Sequence, residues 1–92
     1  MVYNLSYELK TPDKDYSELF TFLEHRLGKG GIHVLRDCWW IASDTPLNVD
    51  ETSDEIRKLM GEKDIFHFGR LPETDVNGWL PSSHWDWLKQ NK

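Results

Sequence analysis

Glu8 and the aspartates after it are the first residues whose type and spacing could do chemistry. Glu8 ends an alternating segment, and Asp13 and Asp15 lie in the polar stretch beyond it. Carboxylate oxygens grouped this way suit Mg²⁺, which takes one or two carboxylates and keeps several waters. Glu8 is therefore the candidate catalytic group, and Glu8 with Asp13 the candidate metal ligands. The competing reading is structural, with Glu8 a solvated strand residue and Asp15 a helix cap, and single-sequence patterns favour it. His25, His33, His67 and His84 show no zinc-like spacing with one another or with Cys38. His25 falls near a helix end, where a cation suits the dipole. Cys38 has no CxxC partner and reads as a small buried hydrophobe.

Gly28-Lys29-Gly30-Gly31 superficially resembles a phosphate loop. The helix precedes it, however, so the helix N-terminus points the wrong way. Arg36-Asp37 reads as a tight turn, or as an exposed basic group at a nucleic-acid edge. The strongest local signal is aromatic: Trp79, Trp85 and Trp87 lie close together near the C-terminus. Tryptophan is enriched at interface hot spots and also stacks on bases. These three are the candidate interface residues, packing on their own domain or on a second copy, with base stacking behind.

These residues need elements to position them. Val2 to Leu9 alternates apolar and polar residues, the period of a half-buried strand. Thr11-Pro12-Asp13-Lys14 breaks it. Asp15 and Glu18 have capping-box spacing, and Tyr16, Leu19, Phe20, Leu23 and Leu27 form a helical stripe that Gly28 ends. Residues 32–35 and 38–43 read as a strand hairpin around Arg36-Asp37. Thr52 and Glu55 suggest a second capped helix, with Ile56, Leu59 and Met60 inward and Gly61 as its stop. Ile65 to Arg70 reads as a fourth strand. In the tail, Ser83 with Asp86 suggests one or two helical turns. The order predicts an α+β domain, a ferredoxin-like β-α-β-β-α-β core over 1–71 with an antiparallel sheet and an aromatic extension over 72–92. Both core helices then share one sheet face, and the other must be covered by the tail or by a partner.

A chain of 92 residues is one domain with a small core, so dimerisation is an expected source of stability. The net charge of −5 disfavours nucleic acid as a partner, because such binding needs Lys and Arg to displace counterions. A single cysteine permits no intramolecular disulfide, so nothing points to an oxidising compartment. No apolar run approaches the ~20 residues of a membrane span, and Met1 to Lys10 lacks a signal-peptide core. The expected location is cytoplasmic.

Val2-Tyr3-Asn4-Leu5-Ser6-Tyr7-Glu8-Leu9, Cys38-Trp39-Trp40-Ile41, Gly78-Trp79-Leu80-Pro81 and Trp85-Asp86-Trp87-Leu88 together resemble small bacterial and phage proteins of the SinR-like kind. Those are similar to the CRISPR-associated spacer-acquisition small nucleases and to VapD-type ribonuclease toxins. The resemblance spans nearly the whole chain and implies a ferredoxin-like homodimer. The nuclease relatives carry an aspartate after a tyrosine at the end of the first strand, and two copies approach across the dimer axis to bind a divalent metal. Here the residue after Tyr7 is Glu8, whose extra methylene moves the carboxylate, and active sites tolerate such displacement poorly. The expectation is therefore a homodimeric interaction module, catalytically silent and without a cofactor. The alternatives are a Mg²⁺-dependent endoribonuclease using Glu8, in which metal-bound hydroxide attacks the phosphodiester, and an acidic inhibitor of a basic nucleic-acid-binding partner.

Overall fold

The computed structural model describes residues 1–92. Its first strand, β1 (Val2–Glu8), buries Tyr3, Leu5 and Tyr7 on one face and Val2 on the other. Asn4 and Ser6, also on that second face, are half-buried, and Glu8 is exposed. The chain then forms α1 (Ser17–Thr21), which continues directly into wider π-helical turns over Phe22–Arg26. The i to i+5 bond from Leu27 N to Phe22 O, 2.9 Å, marks that widening. The sequence stripe predicts one α-helix here. The difference lies where Gly30, at φ +102°, brings β2 against the preceding turn, so closely that a Cβ would meet the Glu24 carbonyl.

Strand β2 (Gly30–Leu35) turns through Arg36-Asp37 into β3 (Cys38–Ala42), with a register irregularity between His33 and Leu35. Helix α2 (Val49–Lys58) starts earlier than the Thr52–Glu55 pattern suggests. Its cap is Asn48, whose side chain accepts from Glu51 N at 3.0 Å, while Thr52 is buried inside the helix. Strand β4 (Ile65–Arg70) follows, and then α3 (Ser82–Asn91). Helix α3 is longer than the one or two turns expected. Its N-cap is Pro81, and no side chain caps it, so Ser83 lies inside the first turn rather than at the cap.

The result is an α+β architecture with one four-stranded sheet, order β2-β3-β1-β4, every neighbouring pair antiparallel. On the first face, Leu19, Leu23 and Leu27 pack with Ile56 and Met60 against Tyr3, Leu5, Tyr7, Trp39, Ile41 and Phe68. Each such buried side chain is worth about 1.5–3 kcal/mol of transfer free energy. Phe20 and Leu59, expected in this core, are only half-buried at its margin. On the second face Leu88 of α3 meets Val2, Val34 and Trp40, flanked by Trp85 and Trp87. The sheet thus carries helices on both faces, α3 from the tail covering part of the face that α1 and α2 leave free.

Candidate interaction surface

Helix α3 covers only part of the second face. Its contacts run over β2, β3 and the start of β1, through Val34, Trp40 and Val2. The far end of β1 and its partner β4 stay uncovered. There Ser6 stands opposite His67 and Glu8 opposite Ile65. A shallow depression of about 330 Å³ follows this pair of strands, lined by Ser6, Glu8, Ile65 and His67 among others. Ile65 is 56% exposed, an unusual state for an isoleucine in a strand. Strand β4 is also a sheet edge over six residues, so its outward backbone groups lack a strand partner.

Two hydrogen-bond networks tie this half of the sheet to the elements around it. The first lies under the end of β1. The Tyr7 hydroxyl is buried, accepts from Trp39 Nε1 at 3.1 Å, and lies 3.3 Å from His33 Nε2. His33 Nε2 is also 2.9 Å from the Arg36 carbonyl, which can only accept, so Nε2 carries the ring proton. The imidazole stacks on Trp39 with centroids 4.6 Å apart. Burial pushes the Tyr7 hydroxyl up from its ordinary value, against the opposing pull of the Trp39 N–H.

The second network is centred on Asp64, just before β4. Its Oδ1 accepts from the backbone N–H of Lys10 and Thr11 and from the Thr11 hydroxyl. Its Oδ2 accepts from the Tyr16 hydroxyl and from Gly61 N. Burial alone would raise this carboxyl; the Tyr16 hydroxyl and the N–H groups of Gly61, Lys10 and Thr11 outweigh it and hold it far below the usual carboxylate range. Gly61 is required by this knot, since a Cβ there would collide with the Thr11 side chain. The knot ties the β1–α1 loop to the α2–β4 turn, and so fixes where Glu8 and Ile65 stand.

The residues singled out from the sequence fall in separate places. Glu8 is exposed and pairs with Lys10, 2.9 Å away. Such an exposed pair contributes little to stability. Asp13 is exposed on the loop, at φ +60°. Nowhere in one chain do three His, Cys, Asp or Glu side chains converge in a way that could hold a metal ion. Asp15 accepts from Ser17 N at 2.9 Å but does not cap α1: the N-cap is Tyr16, and no side chain caps the helix, so the expected capping box of Asp15 with Glu18 is not formed. Trp85 and Trp87 are half-buried beside Leu88, whereas Trp79 is fully exposed. Sequence reasoning missed Asp64 and the Tyr7–Trp39 pair, because their partners lie up to 54 positions away along the chain. No local pattern marks such contacts.

No protein-family model matches the chain, and no curated protein matches it significantly. None of the helices is long and apolar enough to cross a membrane.

Proposed function

We propose that this chain is a protein-interaction module that forms a two-fold homodimer through the β4 edge and the uncovered half-face beside it. The observation carrying this reading is Ile65, a large aliphatic side chain 56% exposed on an unpaired edge strand. Monomeric proteins blunt long edges with charge, proline or bulges. Here β4 has charge only at its last residue, Arg70, and no register irregularity against β1. An isologous contact would let each β4 meet its own copy and remove both edges at once. The ferredoxin-like reading belongs to this proposal. It is supported by the strand order β2-β3-β1-β4 and by α1 and α2 sharing one face.

The module is catalytically silent in this reading. Glu8 pairs with Lys10 and belongs to no cluster of three metal-ligating side chains within the protomer. One observation favours the rival, a Mg²⁺-dependent endoribonuclease: Glu8 and His67 line the same depression. Sedimentation tests the first reading, and a species of two-protomer mass at micromolar concentration is expected. Incubation with labelled RNA, with Mg²⁺ or with chelator, tests the rival. Cleavage that needs Mg²⁺ and is abolished by Glu8→Gln would replace the silent module with the nuclease.

A further inference from the structure

The free edge of β4 restricts how a second copy can lie against it. Leu71 N donates to Val2 O at 2.9 Å, in the same register that sets His67 opposite Ser6 and Ile65 opposite Glu8. Along a strand the backbone groups of successive residues point to alternate sides. Ile65, His67 and Gly69 therefore turn theirs inward to β1, while Phe66, Phe68 and Arg70 turn theirs out to the open edge. Side chains alternate between the two faces as well. Phe68 lies in the core of the first face, so Ile65 and His67 stand on the second, on the half that α3 leaves uncovered.

A two-fold pairing of β4 with its own copy can join only outward groups to outward groups. Facing residues are then even with even or odd with odd, and one residue meets itself at the axis. Near the middle of the strand that residue is Phe66, His67 or Phe68. Centred on His67, the pairing sets the two histidines directly opposite; centred on Phe66 or Phe68, it sets them diagonally. In each case both imidazoles stand on one face, with their Cβ atoms about 5–8 Å apart.

His67 is exposed and takes part in none of the ion pairs. Its ring leans along the strand, since a Cβ on Gly69 would meet His67 Cε1 at 3.7 Å. The charged groups around it are already engaged. On β1, Glu8 lies diagonal to it and is held by Lys10 at 2.9 Å, while Ser6, directly opposite, carries no charge. Asp64, before the strand, is occupied by Tyr16 and by the Lys10, Thr11 and Gly61 N–H groups. Arg70 falls on the first face and engages Glu73. Helix α2 packs on that first face, through Ile56.

We infer that His67, set against its own copy, makes the β4 dimer pH-sensitive, forming while both imidazoles are neutral and weakening as they take up protons. The inference rests on the dimer reading above and names the regulation of that same edge. Histidine changes its charge between about pH 5 and 8. Two like charges this close repel, and association takes both rings partly out of water, which disfavours the charged form. Both effects have one sign. The dimer binds protons less readily than the separate chains, so its stability is present at neutral pH and is lost as pH falls. The Asp64 carboxyl is held far below this window, so the fold persists across it.

The test is sedimentation of the full chain and of His67→Gln at pH 7.5 and pH 5.5, with melting curves to confirm that both stay folded. The parent dimer should be about tenfold weaker at the lower pH, and His67→Gln should change less than about twofold. Salt at about 0.5 M should shrink the parent's difference by screening the two charges. A parent dimer equally tight at both pH values would overturn the switch and leave the dimer standing. Equal weakening of the parent and His67→Gln would do the same, since the titrating group would then lie elsewhere. Monomer alone at both pH values, up to high micromolar concentration, would overturn the dimer and the switch together.

Discussion

The Tyr16 hydroxyl donates to Asp64 Oδ2 across 2.6 Å, joining the start of the first helix to the turn before the last sheet strand, 48 residues later. With the Lys10, Thr11 and Gly61 N–H groups on the same carboxylate, Asp64 closes two loops at once. Asp64→Ala strands several donors in a buried place, and a loss of about 2–3 kcal/mol is expected in chemical denaturation. Tyr16→Phe, removing one donor, should cost less than Asp64→Ala. Equal stability of Asp64→Ala and the parent would show that water replaces the carboxylate without penalty.

The same carboxylate sets an acid limit. Its folded-state value is depressed, so it contributes stability that is fully present above about pH 4, the unfolded aspartate value, and is lost as pH falls toward the folded value. The expected outcome is a stability curve that drops below about pH 4 in the parent and drops less in Asp64→Asn. Urea titrations across that range measure it.

Tyr7→Phe keeps the ring in the core but leaves Trp39 Nε1 without its acceptor. The expected cost is about 1–3 kcal/mol, the price of an unpaired buried donor. His33→Ala at the exposed end of the network should cost less, because the hydroxyl retains Trp39. A Tyr7→Phe variant as stable as the parent would place that N–H in contact with water.

Ile65→Lys puts a charge on the exposed edge without touching the buried core. The folded monomer should be retained and the dimer lost in sedimentation. An unchanged dimer would move the self-association surface away from β4.

In the tail, Leu88 and Trp79 should behave oppositely. Leu88 is buried against Val2, Val34 and Trp40, so Leu88→Ala should cost about 2–5 kcal/mol. Trp79→Ala, at a fully exposed position, should stay within about 0.5 kcal/mol of the parent. Deletion of residues 79–92 removes Leu88 and should steeply lower the melting temperature. A deleted chain that melts as the parent does would show that α3 adds nothing to the sheet.

Local patterning by itself determined the strands and the faces they present. The alternation of Tyr3, Leu5 and Tyr7 and of Trp39 and Ile41 marks one buried face, because successive strand side chains point to opposite sides whatever the tertiary context. Ile65–Arg70 was legible to the residue for the same reason. The start of α2 was less so: Asn48 caps it, but Thr52 offers a competing pattern, and only its burial under the helix decides between them. The π-helical turns at Phe22–Arg26 lie where Gly30 closely approaches the Glu24 carbonyl, a contact that apolar spacing does not encode. Asp64 looks like any surface aspartate until Lys10, Thr11 and Tyr16 are brought to it. The three tail tryptophans were visible as a cluster, yet their different fates depend on where α3 lands. Leu88 anchors that helix over Trp40, which half-buries Trp85 and Trp87 and leaves Trp79 in water, because one helix can bury only the side of the tail that faces the sheet.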